Sequence, residues 1–205
     1  MSRFGLTAEA ARRWSIATLV CALALVLAGC ATQEPPAQTS LTEAPSLSEL
    51  VRHGRFALRS EEPYEAPEAV QGNFVWRDVG GRLTLDLNNP FGTTLARVLV
   101  EPGQATMTQS NGETMRSSDP DALVQQVIGR RVPVRDMRAW LRTPLRQAPA
   151  MQQVKRDEQG RIVAFAQSGW KVELGRFDAL GPRLLVLSRL EGSKQVVIRL
   201  VVDAP

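Results

Sequence analysis

Alternation of apolar and polar side chains is the dominant pattern of the chain from residue 54 onward. It is clearest in GRFALR at 54–59, GNFVWR at 72–77 and RLTLDL at 82–87. A period of two is typical of strands that bury one face. About eleven such segments occur up to KQVVIRLVV at 194–202, separated by glycine-bearing turns. The pattern predicts an antiparallel meander, which with so many short strands tends to curl or close.

Three short segments break the alternation and predict helices. The first begins at Ser46 and covers residues 46–51. The second begins at Asp119-Pro120 and ends before Gly129, because proline suits a first helical turn and glycine a left-handed end. A third, of one or two turns, follows Pro133. The fold class is therefore mainly β (α+β), and the concave face of the sheet either packs tightly on itself and the helices or encloses a cavity.

The N-terminal 29 residues have the pattern of a secretion signal. Arg12 and Arg13 precede an apolar run at 15–27, which is too short to span a bilayer but suits a signal-peptide core. The run ends in LAGC at 27–30, which looks like a bacterial lipobox. The resemblance to such signals implies cleavage before Cys30, lipidation of its thiol and, because Ala31 follows where an aspartate would retain the protein at the inner membrane, an outer-membrane location.

These features divide the chain into a signal peptide (1–29), a lipidated N-terminus with a flexible tether rich in proline, threonine and glutamine (30–45) and one folded domain (46–205). Cys21 leaves with the signal and Cys30 is blocked, so disulfides and thiolate chemistry are excluded. Removal of the signal lowers the net charge from +4 to +2. A charge this small, in a periplasmic lipoprotein, speaks against nucleic acid as a partner.

Catalytic and metal-binding motifs are missing from the sequence. It contains no GxSxG, HExxH, phosphate-binding or dinucleotide-binding pattern. The single histidine, His53, is predicted near the end of the first helix between Arg52 and Arg55. We expect a protein that is not an enzyme, with no cofactor and no metal. An envelope hydrolase that uses His53 is a remote alternative.

A run of arginines accompanies the helix predicted after Pro133. Arg135, Arg138 and Arg142 recur at spacings of three and four residues, so they share a helix face. Such a face is either plainly solvated or contacts anionic headgroups or an acidic partner protein. We therefore take the three arginines as candidates for partner or headgroup contact.

The turn at LNNPFGTTLARV, residues 87–98, carries an unexpected aromatic side chain. Asn89, Pro90 and Gly92 are residues that favour a tight turn, and turn tips usually hold polar or small residues. Phe91 either folds back over the edge of the core or projects outward into something apolar. Burial of one phenylalanine is worth about 1.5–3 kcal/mol, enough for a brief contact with a bilayer.

The segments GRFALR, GNFVWR, LNNPFGTTLARV, WLR, SGWKVE and RLLVLSR, in this order behind a lipobox, resemble the LolB family of outer-membrane lipoproteins. The resemblance implies an unclosed antiparallel β-barrel of about eleven strands with short lid helices over an apolar cavity for acyl chains. It also implies a monomer that accepts acylated lipoprotein cargo from the periplasmic carrier LolA and inserts it into the inner leaflet of the outer membrane. In the family a leucine usually protrudes from this turn, so Pro90, Phe91 and Gly92 become the membrane-contact loop.

Apolar residues of the alternating segments are the candidates for the cavity lining, although a filled core would use the same side chains. A filled core would favour the alternative of a structural or assembly lipoprotein of the cell envelope. The candidates are Phe56, Leu58, Phe74, Trp76, Leu83, Leu85, Leu87, Trp140, Phe165, Trp170 and Val172.

Overall fold

The computed structural model describes residues 49–64 and 66–204. Eleven antiparallel strands form one sheet in the order β6-β5-β4-β3-β2-β1-β11-β10-β9-β8-β7. The strands are β1 (Leu50–Glu61), β2 (Glu68–Val79), β3 (Arg82–Asn88), β4 (Thr94–Glu101), β5 (Gln104–Gln109), β6 (Thr114–Ser117), β7 (Gln152–Arg156), β8 (Ile162–Gln167), β9 (Trp170–Phe177), β10 (Pro182–Glu191) and β11 (Lys194–Val202).

Two helices, α1 (Pro120–Ile128) and α2 (Val134–Trp140), interrupt the meander between β6 and β7. The Asp119 carboxylate accepts a hydrogen bond from the Asp121 amide at 3.1 Å and so caps the start of α1. Gly129 ends α1 in the left-handed region, with φ of 79°. Helix α1 therefore begins and ends where the proline and glycine signals predicted, and α2 begins directly after Pro133 as predicted.

The sheet does not close, because β6 and β7 are edge strands that pair with one neighbour each. Alternate residues of the inner strands are buried on the concave face, where α1 and α2 contribute their own buried side chains to the same core. The prediction of an unclosed antiparallel sheet of eleven strands with short helices is confirmed. In the part of the chain that the structure describes, no helix is long and apolar enough to cross a membrane.

The prediction of a helix at 46–51 is wrong for its described residues. Leu50 and Val51 start β1, in which Leu50 pairs with Asp78 of β2. His53 also lies in β1 and is exposed. The helix propensity of this short segment is outweighed by strand pairing, because β1 is central and forms ladder hydrogen bonds with both β2 and β11. Ser46, the signal peptide, Cys30 and the tether lie outside the described residues and stay predictions.

Two reciprocal phenylalanine–glycine pairs bring β1 and β2 together at the centre of the sheet. Phe56 lies opposite Gly72, and Phe74 lies opposite Gly54. A Cβ atom on Gly72 would stand 2.3 Å from the carbonyl oxygen of Asn88 and 2.9 Å from the Phe56 ring. The missing side chains therefore leave the space in which the two aromatic rings lie against the neighbouring strand.

We predict that Gly72→Ala lowers the free energy of unfolding by about 1–3 kcal/mol, because the added methyl group overpacks the site. Gly175→Ala in β9 is the matched control, since its Cβ would meet only a Leu184 methyl carbon, at 3.8 Å. Urea denaturation of both variants measures the difference. Equal stability of Gly72→Ala and the unaltered protein would contradict the packing described.

Candidate functional site

A wholly apolar cavity lies between the concave face of the sheet and the two helices. Strands β1, β2, β3 and β11 form its floor, and α1, α2 and the segment between them form its roof. Its volume is about 30 Å³. The lining side chains are Phe56, Leu58, Phe74, Trp76, Leu85, Leu87, Val124, Ile128, Val132, Val134, Met137, Ile198 and Leu200.

The volume of this cavity decides what it can hold in the conformation described. One water molecule occupies about 30 Å³ of liquid, whereas pockets for small-molecule ligands measure about 300–1,000 Å³. An acyl chain therefore does not fit while the helices stay in place. Because the roof is made of helical side chains, outward movement of α1 and α2 would enlarge the cavity without breaking a strand ladder.

The structure separates the predicted lining residues into two sets. Six of the eleven candidates line the cavity, and all six lie in β1, β2 or β3. The other five are buried elsewhere in the core. Trp140 packs edge-on against Phe165 with ring centroids 5.4 Å apart, and the Arg189 guanidinium stacks over Trp170 at 4.2 Å. Leu83 and Val172 are buried outside the cavity as well.

Sequence reasoning did not include the helical and β11 side chains in the lining. Val124 and Ile128 were recognisable as the apolar face of the predicted second helix, and Ile198 and Leu200 alternate in KQVVIRLVV. The sequence patterns that mark these four residues as buried were thus present. What the sequence lacked was the pairing of β11 with β1, which brings the last strand beside the first.

A buried carboxylate fastens α2 to the sheet. Asp78, near the end of β2, is 2% exposed and receives hydrogen bonds from Arg138 at 2.6 and 2.9 Å. Arg142 approaches the same carboxylate at 2.8 Å. Burial by itself raises the pKa of Asp78, but the hydrogen bonds and charges of Arg138 and Arg142 outweigh it and hold that pKa below its ordinary value.

The third arginine of the predicted face also has partners within the domain. Arg135 lies 3.7 Å from the Asp119 carboxylate and donates to the backbone oxygen of Ser118 at 3.1 Å. Arg135 is nevertheless largely exposed, whereas Arg138 and Arg142 are about two-thirds buried or more. Contact of these arginines with a partner or with headgroups stays a prediction, and the geometry assigns Arg138 and Arg142 a structural role in addition.

The loop between β3 and β4 holds Phe91 outward. The Asn89 side-chain oxygen accepts hydrogen bonds from the amides of Phe91 at 2.9 Å and Thr93 at 3.0 Å. The Asn89 backbone N–H donates a hydrogen bond to the Thr93 carbonyl at 2.9 Å. Gly92 has a φ of 90°, a value that glycine adopts readily. The Phe91 side chain is 93% exposed. It therefore does not fold back over the edge of the core.

The Phe91 loop begins next to the wall of the cavity. Leu87 and Phe74, which pair across β3 and β2, both line the cavity, and the next pair is Asn88 with Asn73. The Asn73 side chain then donates to the backbone oxygen of Asn89 at 3.2 Å and ties the loop to β2. Only a few residues thus separate the cavity wall from the exposed ring.

Candidate groups for a metal site do not assemble in the described residues. Over 49–64 and 66–204, no three histidine, cysteine, aspartate or glutamate side chains come close enough to hold a metal ion. His53 lies exposed on β1. The chemistry that the cavity lining offers is apolar binding.

Comparison with known proteins gives a consistent result. The family described as "Outer membrane lipoprotein LolB" matches residues 49–204. A relative named "Outer-membrane lipoprotein LolB" from Bordetella parapertussis is 44% identical over 94% of this chain and 94% of its own length. One of the same name from Cupriavidus necator is 36% identical over 87% and 90%. A solved LolA superfamily protein from Nitrosomonas europaea shares 11% identity over 76% of this chain and 87% of its own, with a TM-score of 0.42, and this distant likeness supports no further conclusion.

We predict that Asp78→Asn lowers the free energy of unfolding by about 2–3 kcal/mol near neutral pH, because two partly buried arginines lose their counter-ion. The folded pKa of Asp78 is depressed, so its contribution is present above about pH 4 and disappears as the pH falls through the folded pKa. Urea denaturation as a function of pH should therefore show the two proteins converging in acid.

The matched control is Glu101→Gln, which breaks the exposed ion pair of Glu101 with Arg82. Exposed pairs contribute little, so its stability should follow that of the unaltered protein at every pH. A stability difference for Asp78→Asn that does not shrink in acid would show that the ion pairs are not its source.

Proposed function

The chain belongs to the LolB family of outer-membrane lipoproteins, and we propose that it receives lipoproteins from LolA and delivers them to the outer membrane through the apolar cavity and the Phe91 loop. The observation that carries this proposal is the exposed Phe91 ring, which lies only a few residues beyond Leu87 of the cavity wall. An acyl chain that leaves the cavity there would meet the surface that Phe91 touches.

The cargo explains why a cavity without polar groups is useful. Each buried CH₂ is worth about 0.8 kcal/mol, so a long acyl chain resists transfer to water by roughly 10 kcal/mol. Aromatic and aliphatic side chains can shield such a chain without any specific bond. Transfer then needs neither a nucleotide nor a catalytic group, only an increasing affinity for the acyl chains from carrier to receptor to bilayer.

Entry of the acyl chains requires the roof to open. The helices are held to the sheet by side-chain packing and by a few polar contacts, chiefly those of Asp78 with Arg138 and Arg142. Gln167 of β8 also accepts a hydrogen bond from the Trp140 indole at 3.3 Å and donates one to Asp136 at 3.2 Å. These contacts are few compared with a strand ladder, so displacement of α1 and α2 is the least costly way to make room for cargo.

The small volume of the cavity also favours a second candidate. A lipoprotein with a filled core, acting as a structural or assembly subunit of the envelope, needs no opening of the helices. It predicts a stable complex with an envelope partner and no binding of acyl chains. The two candidates therefore differ in whether a fatty acid reaches the cavity wall.

We predict that a brominated fatty acid quenches the fluorescence of Trp76, which lines the cavity, because heavy atoms quench indoles that they contact. The signal peptide carries Trp14, so three tryptophans remain in the mature protein. Variants that keep only Trp76 or only Trp170 separate the cavity from the rest of the core, since Trp170 is buried outside it.

Quenching of Trp76 without quenching of Trp170 is the expected result. Quenching of neither residue, in protein that keeps its cooperative unfolding transition, favours the filled-core candidate. Equal quenching of both would indicate non-specific binding.

We predict that Phe91→Glu accepts cargo from LolA but delivers it to liposomes at least about tenfold more slowly, because a carboxylate cannot enter the apolar part of the interface. Phe91→Leu is the control, since it keeps an apolar side chain on the same turn. The assay follows a lipoprotein from purified LolA to liposomes in the presence of the unlipidated chain from residue 31, which retains all eleven strands and both helices.

Equal delivery by Phe91→Glu and Phe91→Leu would remove the membrane role of Phe91 and leave the receptor role intact. Failure of every form, including the unaltered one, to accept cargo would contradict the receptor function itself.

A further inference from the structure

Exposed apolar side chains are distributed unevenly between the two ends of the sheet. One end, here called the loop end, consists of the turns β1–β2, β3–β4, β5–β6, β8–β9 and β10–β11. The opposite end carries the turns β2–β3, β4–β5, β7–β8 and β9–β10. Of the exposed large hydrophobic residues in the described ranges, the opposite end holds Val79 and Leu180, at 39% and 38% exposure. The remaining six lie in turns or strand segments next to the loop end: Tyr64, Val70, Phe91, Leu95, Met115 and Leu190.

Three of these side chains are far more exposed than any other large hydrophobic in the described residues. Tyr64 in the β1–β2 turn is fully exposed, Phe91 is 93% exposed, and Leu190 beside the β10–β11 turn is 72% exposed. Their strands follow one another in the sheet, from β3 through β2, β1 and β11 to β10. Exposed apolar groups clustered at one end mark an interaction surface, whereas scattered ones need no explanation.

Several of the charged groups between these side chains are paired with one another. Glu62 lies 3.2 Å from Lys194, and Ser193 donates to the same carboxylate at 2.8 Å. Glu68 pairs with Arg130, and Glu191 pairs with Arg189. The ion pairs also connect the β1–β2 turn to the β10–β11 turn. A surface of this kind offers apolar groups without a net cationic patch, which suits a zwitterionic lipid interface better than a strongly anionic one.

The anchored N-terminus permits the loop end to face its own membrane. Leu50, where β1 begins, pairs with Asp78 and so lies at the opposite end. Strand β1 has 12 residues and is about 40 Å long. Residues 31–49, between the predicted lipidated cysteine and β1, reach at most about 65 Å when extended. The chain is therefore long enough to pass along the domain and return to the bilayer.

We propose that Tyr64 and Leu190 contact the lipid bilayer together with Phe91, so that the whole loop end, and not the Phe91 turn alone, docks on the membrane. This inference rests on the proposed function, because it takes the membrane as the surface that Phe91 meets. Contacts at three separate turns would fix the orientation of the domain on the bilayer, with the cavity wall beside the Phe91 turn close to the lipid. A single side chain would leave the domain free to tilt about one point.

Site-specific labelling of the lipidated mature protein in liposomes tests the proposal. Since Cys30 is the only cysteine after residue 29, the substitutions Tyr64→Cys, Phe91→Cys, Leu190→Cys and Leu180→Cys each introduce one reactive thiol. An environment-sensitive fluorophore at positions 64, 91 and 190 should shift to the blue and be quenched by a phospholipid with a spin label near its headgroup. The fluorophore at position 180, at the opposite end, should keep the emission of an aqueous environment and should not be quenched.

The outcomes separate this inference from the function on which it rests. A lipid signal from position 91 with water signals from 64 and 190 would overturn the inference and leave the membrane role of Phe91 in place. Water signals from all three positions would contradict both. Signals at 64 and 190 that change only when LolA is added would identify a protein contact and would also overturn the inference.

A binding experiment without cysteine labels provides an independent check. In the unlipidated chain from residue 31, Tyr64→Ser and Leu190→Ser should each weaken binding to phosphatidylethanolamine-rich vesicles by about fivefold, because interfacial contact recovers only part of the free energy of full burial. Leu180→Ser should bind like the unaltered chain. The loss should be the same with and without phosphatidylglycerol, and a loss seen only with the anionic lipid would contradict the docking proposed.

Discussion

The need to cover the apolar concave face of an open sheet governs this structure. Eleven strands place a row of Phe, Leu, Val and Trp side chains on one face, and water contact along that face would cost much of the stability of the domain. Two short helices provide the cover. Because side-chain packing and a few ion pairs hold them, the cover is the part of the fold that can move while the strand ladders stay intact.

The buried contact of Asp78 with Arg138 and Arg142 contributes to the free-energy cost of displacing α2. Its arginines are partly exposed, so the desolvation cost is lower than for a fully buried pair, while the carboxylate is almost completely shielded. When α2 moves away, the charges of this contact become hydrated. Their hydration recovers part of the free energy that is lost when the ion pairs break. A contact of this kind holds α2 on the sheet without making its position permanent.

Local turn chemistry explains how an aromatic ring can stay in water next to such a core. The Asn89 side chain accepts hydrogen bonds from two backbone amides, and Gly92 adopts the left-handed conformation that the turn requires. The loop is therefore ordered before it meets a partner. An ordered loop loses less conformational entropy on contact than a mobile one. The modest free energy of inserting one ring is therefore available for binding, and neighbouring apolar turns would add to it.

Much of the candidate site could be derived from residue patterns, and the failures have identifiable causes. The alternation in GRFALR and GNFVWR placed Phe56, Leu58, Phe74 and Trp76 on the buried face, where the structure has them beside the cavity. The same reasoning put Trp170 in the lining, because a period of two cannot tell one part of a buried face from another. The helix expected at 46–51 failed at Leu50 and Val51, because their pairing with β2, as the start of a strand that further along also pairs with β11, outweighs the propensity of a short segment.

The sequence by itself determined the features that depend on neighbours in the chain: most strands and their turns, the ends of α1 and the tight turn that carries Phe91. Each follows from side-chain alternation or from the backbone preferences of proline, glycine and asparagine, which act within a few residues. Only the tertiary structure decided the volume of the cavity, the pairing of β11 with β1 and the engagement of Arg138 by Asp78, 60 residues earlier. These depend on which distant side chains meet when the sheet curls, and no local pattern records such distances.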